Sequence, residues 1–375
     1  MKLALCLFKY FPYGGLQRNF LTIAMELLNR GHDVTVYTGA WEGEKPEQLK
    51  VKILSVKRLS NHSTNCRFHR ELQQHLKDDP VDLVIGFNKM PDLDVYYCAD
   101  TCFATKVYED KPFFYRLLPR SRWSLTFEKG VFDKNLATET LLLSQNEGEA
   151  YKKYYDTQPE RFHLMPPGIN RNRIRTESGA AEGAAVRESL GISPEHKVVG
   201  FLGSDYKRKG LDRMLHAISA LPEDEKSQVR ALVIGRDKRL PDYQKLAKQL
   251  GIADQVIFVG QRDDVPQLLF ACDLLMHPAY LENTGNVILE AVVAGLPVIC
   301  TANCGYAFYI RDNQLGSVVD MPFKQQELDQ ALLDLLTSDI NWQQRCGAFA
   351  ESADIYSRPL RAAECIERIG EQRCQ

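Results

Sequence analysis

The chain has 375 residues, of which 44% are hydrophobic and 26% charged, a balance typical of a folded globular protein rather than a disordered one. Its formal net charge of −2 argues against a strongly basic nucleic-acid-binding protein, and no apolar run approaches the roughly 18 residues of a membrane span. The length exceeds that of one ordinary domain core, so we expect two domains.

The first residues, 1–10, have too short an apolar part for a secretory signal and predict a strand. The ten cysteines include no CxxC pair with histidine partners, so we expect no metal site. Several cysteines lie in apolar runs, which indicates buried thiols of a cytoplasmic protein.

Strand-like runs alternate with helical segments along the whole chain, which predicts two α/β domains with parallel sheets. The first series is 3–8, 33–37, 50–56, 83–87 and 140–143. The second is 198–202, 231–234, 256–259, 274–277, 298–300 and 316–319. A Pro-Pro-Gly sequence at 166–168 favours an extended hinge, so we place the amino-terminal domain at 1–166 and the carboxy-terminal domain at 170–355.

After the first strand, Gly14 and Gly15 open an amphipathic helix predicted to begin at Gln17. Two glycines before a helix let a sugar or a phosphate approach the free backbone amides, so both are candidate donor-binding residues.

The stretch 111–129 carries five basic residues against one acidic residue, interleaved with aromatics and leucines. Arg116, Arg120, Arg122 and Trp123 are therefore candidates for contact with an anionic membrane surface. The alternative is an internal amphipathic helix that packs on the domain. Nucleic acid is a weaker interpretation because no binding motif accompanies the patch.

A glycine-bearing basic loop follows the predicted strand 198–202 and precedes a helix predicted over 211–221. It places Gly203, Arg208 and Lys209 beside the carboxyl end of a strand, where open α/β sheets bind ligands. Arginine grips phosphate with two donors and lysine adds a point charge. The alternative is a solvated basic turn.

Two carboxylates, Glu282 and Glu290, stand eight residues apart across a predicted loop-to-helix junction. Asn283 or Thr284 is expected to cap the helix, whose free amides form an anion site. Glu290 would hold ribose hydroxyls and Glu282 the sugar, unless both are simply exposed residues of an amphipathic helix. The candidate donor-binding residues of this junction are Asn283, Thr284, Gly285, Asn286, Val287 and Glu290.

The E-x7-E spacing resembles the signature of retaining glycosyltransferases of family 4, which have the GT-B fold of two Rossmann-like domains facing each other across a cleft. Stretches 9–18, 37–43, 86–91, 166–169 and 304–307 extend the resemblance over nearly the whole chain, to the bacterial lipopolysaccharide core glucosyltransferases. The resemblance implies transfer of glucose from UDP-glucose to a heptose of the lipopolysaccharide inner core, with retention and with no metal or other cofactor. It also implies that a final helix, 360–375, packs on the first domain.

The resemblance suggests further site residues. Asp100 either orients or deprotonates the acceptor hydroxyl or caps a turn. Lys89 either binds an acceptor phosphate or caps a surface loop, and Arg262 either borders the uracil or pairs with a neighbouring aspartate. Asn19 stands where this branch commonly has an aspartate, and an amide is neither charged nor a base.

These inferences predict a peripheral enzyme on the cytoplasmic face of the bacterial inner membrane. Two alternatives remain: the same fold acting on another UDP-hexose or UDP-N-acetylhexosamine, and a non-catalytic membrane-associated assembly protein. Loss of the acid at position 19 favours the second, whereas intact Glu282, Glu290, Arg208 and Lys209 argue against it.

Overall fold

The computed structural model describes residues 1–12, 14–56 and 60–374. Within it the chain divides into two units: unit 1 contains Met1–Gly168 and the chain from Ser357 onward, and unit 2 contains Ile169–Tyr356.

Unit 1 is built on a parallel sheet of seven strands in the order β3-β2-β1-β4-β5-β6-β7. The strands are β1 Lys2–Leu7, β2 Asp33–Thr38, β3 Lys50–Ile53, β4 Leu83–Gly86, β5 Val95–Cys98, β6 Glu139–Leu142 and β7 Phe162–Leu164. Its helices are α1 Gly15–Asn29, α2 Asn61–Asp78, α3 Phe103–Thr105, α4 Pro119–Phe132, α5 Gln145–Tyr155 and, at the end of the chain, α16 Arg358–Cys374. A π-helix at Lys106–Asp110 and a 3₁₀-helix at Phe113–Leu117 lie between α3 and α4.

The hydrophobic core of unit 1 lies on both faces of this sheet, because its strands are nearly continuous runs of apolar residues. The final helix α16 packs against α1 on one face, where Arg30 and His32 bond the carboxylate of Glu367. Residues 57–59, in the loop after β3, fall outside the described residues.

Unit 2 is built on a parallel sheet of six strands in the order β10-β9-β8-β11-β12-β13. The strands are β8 Lys197–Leu202, β9 Val229–Ile234, β10 Val256–Gly260, β11 Leu274–His277, β12 Val298–Thr301 and β13 Gly316–Val319. The helices are α6 Gly179–Ser189, α7 Tyr206–Lys209, α8 Leu211–Ser219, α9 Glu223–Gln228, α10 Leu240–Gln249, α11 Val265–Phe270, α12 Asn286–Val293, α13 Ala307–Asp312, α14 Gln325–Leu336 and α15 Trp342–Ser352. Buried apolar clusters cover both faces of this sheet as well.

Candidate active site

The candidate site of unit 2 lies at the edge where the parallel strands end. Loops after β8, β9, β10, β11 and β12 all emerge there, because parallel strands place their carboxyl ends at one edge. The two stretches predicted to bind the donor, 203–210 and 278–287, follow the neighbouring strands β8 and β11. Strand pairing therefore brings together residues more than 70 positions apart.

Glu282 is the centre of this edge. Oε2 of its carboxylate accepts a hydrogen bond from Nζ of Lys209, lies 3.6 Å from Nη1 of Arg208 and lies 3.3 Å from Nε2 of His277. The Glu282 side chain is only 10% exposed. All three contacts end on Oε2, so within the described part of the chain Oε1 is the oxygen that can accept a hydroxyl of a ligand.

The charge state of this cluster follows from burial and from the neighbouring cations. Burial alone would raise the pKa of Glu282, but the hydrogen bond from His277 and the charge of Lys209 outweigh it and lower the pKa. Burial, reinforced by Lys209, lowers the pKa of His277. Glu282 is therefore a carboxylate at neutral pH, and His277 is a neutral imidazole that donates from Nε2.

Main-chain contacts lock the two loops together. The amide of Tyr280 donates to the Arg208 carbonyl at 2.8 Å, and Nη1 of Arg208 donates to the Leu281 carbonyl at 3.2 Å. Gly210 has φ +79°, and a Cβ there would lie 2.0 Å from the carbonyl oxygen of Pro278. Only glycine permits this approach.

The start of helix α12 differs from the prediction. The N-cap is Gly285, with φ +78°, and the helix begins at Asn286, so the expected cap at Asn283 or Thr284 is wrong. A glycine cap fits here because the left-handed conformation disfavours residues with a Cβ. The amides without an intrahelical partner begin at Asn286 and Val287, and Glu290 lies about one turn inside the helix.

The remaining predicted residues of unit 2 lie around this edge. Glu290 is half-buried, and its Oε2 lies 3.8 Å from Nε of Arg173. Arg262 donates to both oxygens of Asp264, at 2.8 and 2.6 Å, which is the ion pair considered as its alternative role. Gly203 donates its amide to the Ile234 carbonyl at 2.9 Å and so joins the loops after β8 and β9.

In unit 1, Gly14 is the N-cap of α1, which begins at Gly15 rather than at Gln17. The Tyr97 hydroxyl accepts a hydrogen bond of 3.4 Å from Nη1 of Arg358. Burial raises the pKa of Tyr97, and the nearby Asn19 amide acts in the opposite direction. Tyr13 lies outside the described residues.

Asp100 and Lys89 have contrasting surroundings. The Asp100 side chain is exposed just after β5. Lys89, predicted to bind an acceptor phosphate or cap a loop, instead pairs its ammonium with the fully buried Glu128 and donates to the Thr101 carbonyl at 2.8 Å. The pair holds the loop before α3 in place, so this geometry favours a structural role for Lys89.

The segment 106–118 projects apolar side chains outward. Phe113, Phe114 and Leu117 are 69%, 67% and 63% exposed. The Arg116 guanidinium lies over the Phe113 ring, 5.1 Å from its centroid.

The candidate membrane residues in helix α4 differ in their exposure to solvent. Arg120 and Arg122 are exposed. Trp123 instead packs against Phe127 and donates Nε1 to Sγ of Cys66 at 2.8 Å, so its indole faces the interior. The surroundings of Trp123 agree with the alternative of an internal amphipathic helix, whereas contact of Arg120 and Arg122 with a membrane stays a prediction.

Sequence reasoning missed the contributions of His277 and Arg173. A histidine at the end of a buried strand reads as a core residue, and the only signal was its position five residues before Glu282. Arg173 follows the predicted hinge and carried no motif. Across the described residues, no group of three or more histidine, cysteine, aspartate or glutamate side chains is placed to hold a metal ion.

Comparison with known proteins places this geometry in a family. Residues 13–173 match the family described as Glycosyltransferase Family 4, and residues 184–353 match Glycosyl transferases group 1. The lipopolysaccharide glucosyltransferase WaaG of Escherichia coli (strain K12) is 42% identical over 369 residues, which cover 98% of each chain.

Solved structures of glycosyltransferases have the same fold as this chain. A crystal structure of WaaG superimposes with a TM-score of 0.90 at 42% identity and covers 97% of this chain and 99% of that one. Anabaena HepE in complex with UDP and glucose gives a TM-score of 0.75 at 19% identity, covering 98% and 100%, which shows the shared fold. The match to WaaG confirms the predicted GT-B fold and the predicted resemblance. This chain therefore belongs to the glycosyltransferases of family 4, in the group that contains WaaG, and is a hexosyltransferase.

Proposed function

We propose that this enzyme transfers glucose from UDP-glucose to a heptose hydroxyl of the lipopolysaccharide inner core, with retention at the anomeric carbon. The observation that carries the proposal is the cluster in which Arg208, Lys209 and His277 share Oε2 of Glu282. A carboxylate with one free oxygen beside two cations suits a ligand that joins a sugar to a diphosphate. The similarity to WaaG, described as a lipopolysaccharide glucosyltransferase, supports the sugar and the acceptor class.

In this proposal Glu282 accepts a hydroxyl of the donor sugar through Oε1 and thereby orients the anomeric carbon. Arg208 and Lys209 keep further N–H donors for the diphosphate, and the amides of Asn286 and Val287 add to them. Glu290 accepts ribose hydroxyls. These groups stabilise the charge that develops on the departing diphosphate, which is the main electrostatic demand of the reaction.

The bond between the anomeric carbon and the diphosphate oxygen breaks, and the acceptor oxygen forms the new bond on the same face. The acceptor proton passes to an oxygen of the leaving diphosphate, and Asp100 orients the acceptor hydroxyl. Protein cations supply the positive charge, so we propose transfer without a metal ion.

The test is calorimetric titration of the full chain with UDP, UDP-glucose, UDP-galactose and UDP-N-acetylglucosamine in metal-free buffer. We expect UDP-glucose to bind tightest and the Lys209→Ala and Glu290→Ala variants to lose at least about tenfold in affinity, the effect of losing one charge-assisted contact. Glu327→Ala is the control, because Glu327 pairs with Lys324 on the surface of unit 2. Absence of binding by the wild type would refute the proposal, and tighter binding of another sugar nucleotide would name a different donor.

We further propose that segment 106–118, with Arg120 and Arg122, meets the anionic surface of the inner membrane on its cytoplasmic side. Its exposed aromatic and leucine side chains enter the headgroup region while the arginines attract phosphates. In the described part of the chain, no helix is both long and apolar enough to cross a bilayer.

Co-sedimentation with phosphatidylglycerol vesicles tests this surface. Phe113→Ser/Phe114→Ser should reduce vesicle binding at least about tenfold. Each aromatic side chain that leaves water for the membrane contributes about 1.5–3 kcal/mol to the free energy of binding. UDP binding should not change. Leu136→Ser, at another exposed apolar residue of unit 1, is the control, and unchanged vesicle binding by the double variant would refute the membrane role of the segment.

A further inference from the structure

Arg213 is a buried cation for which none of the sequence motifs accounts. It lies on α8 and is only 8% exposed. Among the described residues no carboxylate forms an ion pair with its guanidinium. Burying a charge without a carboxylate partner costs free energy, so other groups must stabilise the Arg213 guanidinium.

Two kinds of partner compensate this charge. Nη1 of Arg213 donates to the carbonyls of Pro278 and Ala279, each at 3.1 Å. The guanidinium lies between the rings of Tyr280 and Phe323, 3.6 Å from each centroid. Cation–π contacts on both faces, in a site shielded from water, stabilise a guanidinium in a way that an ammonium cannot reproduce.

The carbonyls that Arg213 holds belong to the turn 278–281, which connects β11 to Glu282. Thr301 donates to the Ala279 carbonyl at 2.9 Å, and Asn303 donates to the Tyr280 carbonyl at 2.8 Å. The Leu281 carbonyl accepts from Arg208. Four successive carbonyls of the turn therefore accept hydrogen bonds from side chains rather than from a helix or a sheet.

The ring of Tyr280 is also fixed on its outer side. Its hydroxyl donates to Oδ2 of Asp212 at 2.8 Å, and Nζ of Lys207 lies 4.3 Å from the ring centroid. Asp212 and Arg213 are neighbours on α8, so one helix end clamps both the ring and the main chain of the turn.

We propose that Arg213 is a positioning residue that sets the shape of the turn 278–281 and thereby the direction in which Glu282 presents its free oxygen to the donor sugar. This inference rests on the proposed function, since it assigns Glu282 to the sugar. Arg213 does not touch the donor itself. It acts through the main chain, three to four residues before the carboxylate.

The experiment compares the wild type with Arg213→Met and Arg213→Lys, measuring UDP affinity by calorimetry and glucosyl transfer by kcat and KM for UDP-glucose. We expect UDP affinity to stay within about threefold and kcat to fall about 100-fold in Arg213→Met, the cost of a small misplacement of a reacting group. Arg213→Lys should recover little of this loss, because an ammonium does not stack between two rings. Ethylguanidinium added to Arg213→Ala should restore part of the transfer rate.

Arg187→Met is the matched control. Arg187 also donates to main-chain carbonyls of unit 2, those of Ala271 and His196, but at the opposite edge of the sheet. It should lower thermal stability without changing the ratio of transfer to UDP affinity.

The outcomes separate the two proposals. A wild-type enzyme that fails to bind UDP refutes the proposed function. Normal UDP binding with transfer within about threefold of wild type in Arg213→Met overturns the role of Arg213. If Arg213→Met does not fold, UDP affinity and transfer rate are compared in Arg213→Lys instead, because that variant keeps the buried charge. Transfer within about threefold of wild type in Arg213→Lys would then overturn the role of Arg213.

Discussion

Two buried lysine–glutamate pairs, Lys209–Glu282 in unit 2 and Lys89–Glu128 in unit 1, show how similar contacts serve different purposes. Glu128 is fully buried and accepts from the amides of Phe103 and Ala104, at 2.7 and 2.9 Å, and from the Tyr155 hydroxyl at 2.8 Å, in addition to Lys89. Both of its oxygens are occupied. Among the described residues, the polar contacts of the Glu282 carboxylate all fall on one oxygen, and its side chain remains 10% exposed.

The two pairs show that a binding site is indicated by the hydrogen-bonding capacity that a carboxylate still has, and not by its burial. A carboxylate whose two oxygens are both bonded can only hold structure, and Glu128 holds the first turn of α3 at the start of the exposed segment 106–118. A carboxylate charged by its neighbours but with a free oxygen can bind a ligand. The following predictions test this distinction.

The largest effect is expected for Glu282→Gln. Loss of the charge should lower kcat/KM for glucosyl transfer about 100- to 1000-fold, the range for removing one preorganised electrostatic contact, while the fold and UDP binding persist. Steady-state kinetics and calorimetry measure the two quantities. Glu327→Gln serves as the control, and transfer within about threefold of wild type would contradict the assignment.

Glu128→Gln should instead affect stability. A glutamine cannot accept from all the donors around Glu128 and leaves the Lys89 ammonium buried without a charge partner, so we expect a loss of about 3–5 kcal/mol in the free energy of unfolding. Urea denaturation measures it. Glu26→Gln, which removes a partly exposed pair with Arg30, should cost less than about 1 kcal/mol; equal costs would show that the buried pair is not structural.

Glu147 is a second buried carboxylate of unit 1. It accepts a hydrogen bond of 2.6 Å from the Cys102 amide, beside the Glu128 cluster. Burial raises its pKa, so the folded state holds the proton more tightly than the unfolded state. Its ionisation therefore lowers stability as pH rises through the folded pKa. We expect Glu147→Gln to raise the free energy of unfolding at pH 7.5, because the amide removes the cost of ionising a buried carboxyl group.

Below about pH 4, where both states are protonated, the difference between Glu147→Gln and the wild type should vanish. Denaturation at several pH values measures this convergence. A variant that is equally destabilised at every pH would show that the carboxylate is not strained by burial.

The smallest effect is the expected pH independence of donor binding. The lowered pKa values of Glu282 and His277 keep the first ionised and the second mainly neutral at pH 6.5 and above, so UDP-glucose affinity should change by less than about threefold between pH 8 and about 6.5. The stability that ionised Glu282 contributes is lost only as pH falls through its lowered pKa. A transition near pH 6.5 in calorimetric titrations, absent from His277→Gln, would mean that His277 titrates in the site.

Many elements were readable from the sequence because local patterns define them. The strands β11 and β13 have their predicted bounds, since short apolar runs end there at a proline or begin at a glycine. The strands β5 and β7 were not predicted from the sequence. Helix α6 begins in the small-residue region 179–185, where Gly183 allows close packing against the main chain of Phe270.

Local patterns were enough to predict which residues stand at the ends of strands, a basic loop after β8 and two carboxylates after β11, and to indicate the family resemblance. Which charges meet depends on the folded chain. Lys89 and Lys209 look alike in the sequence, but their partners lie 39 and 73 residues away, and no local pattern carries that information. Strand order and side-chain packing place three donors on one oxygen of Glu282 and occupy both oxygens of Glu128, because pairing in a parallel sheet joins loops that are distant along the chain.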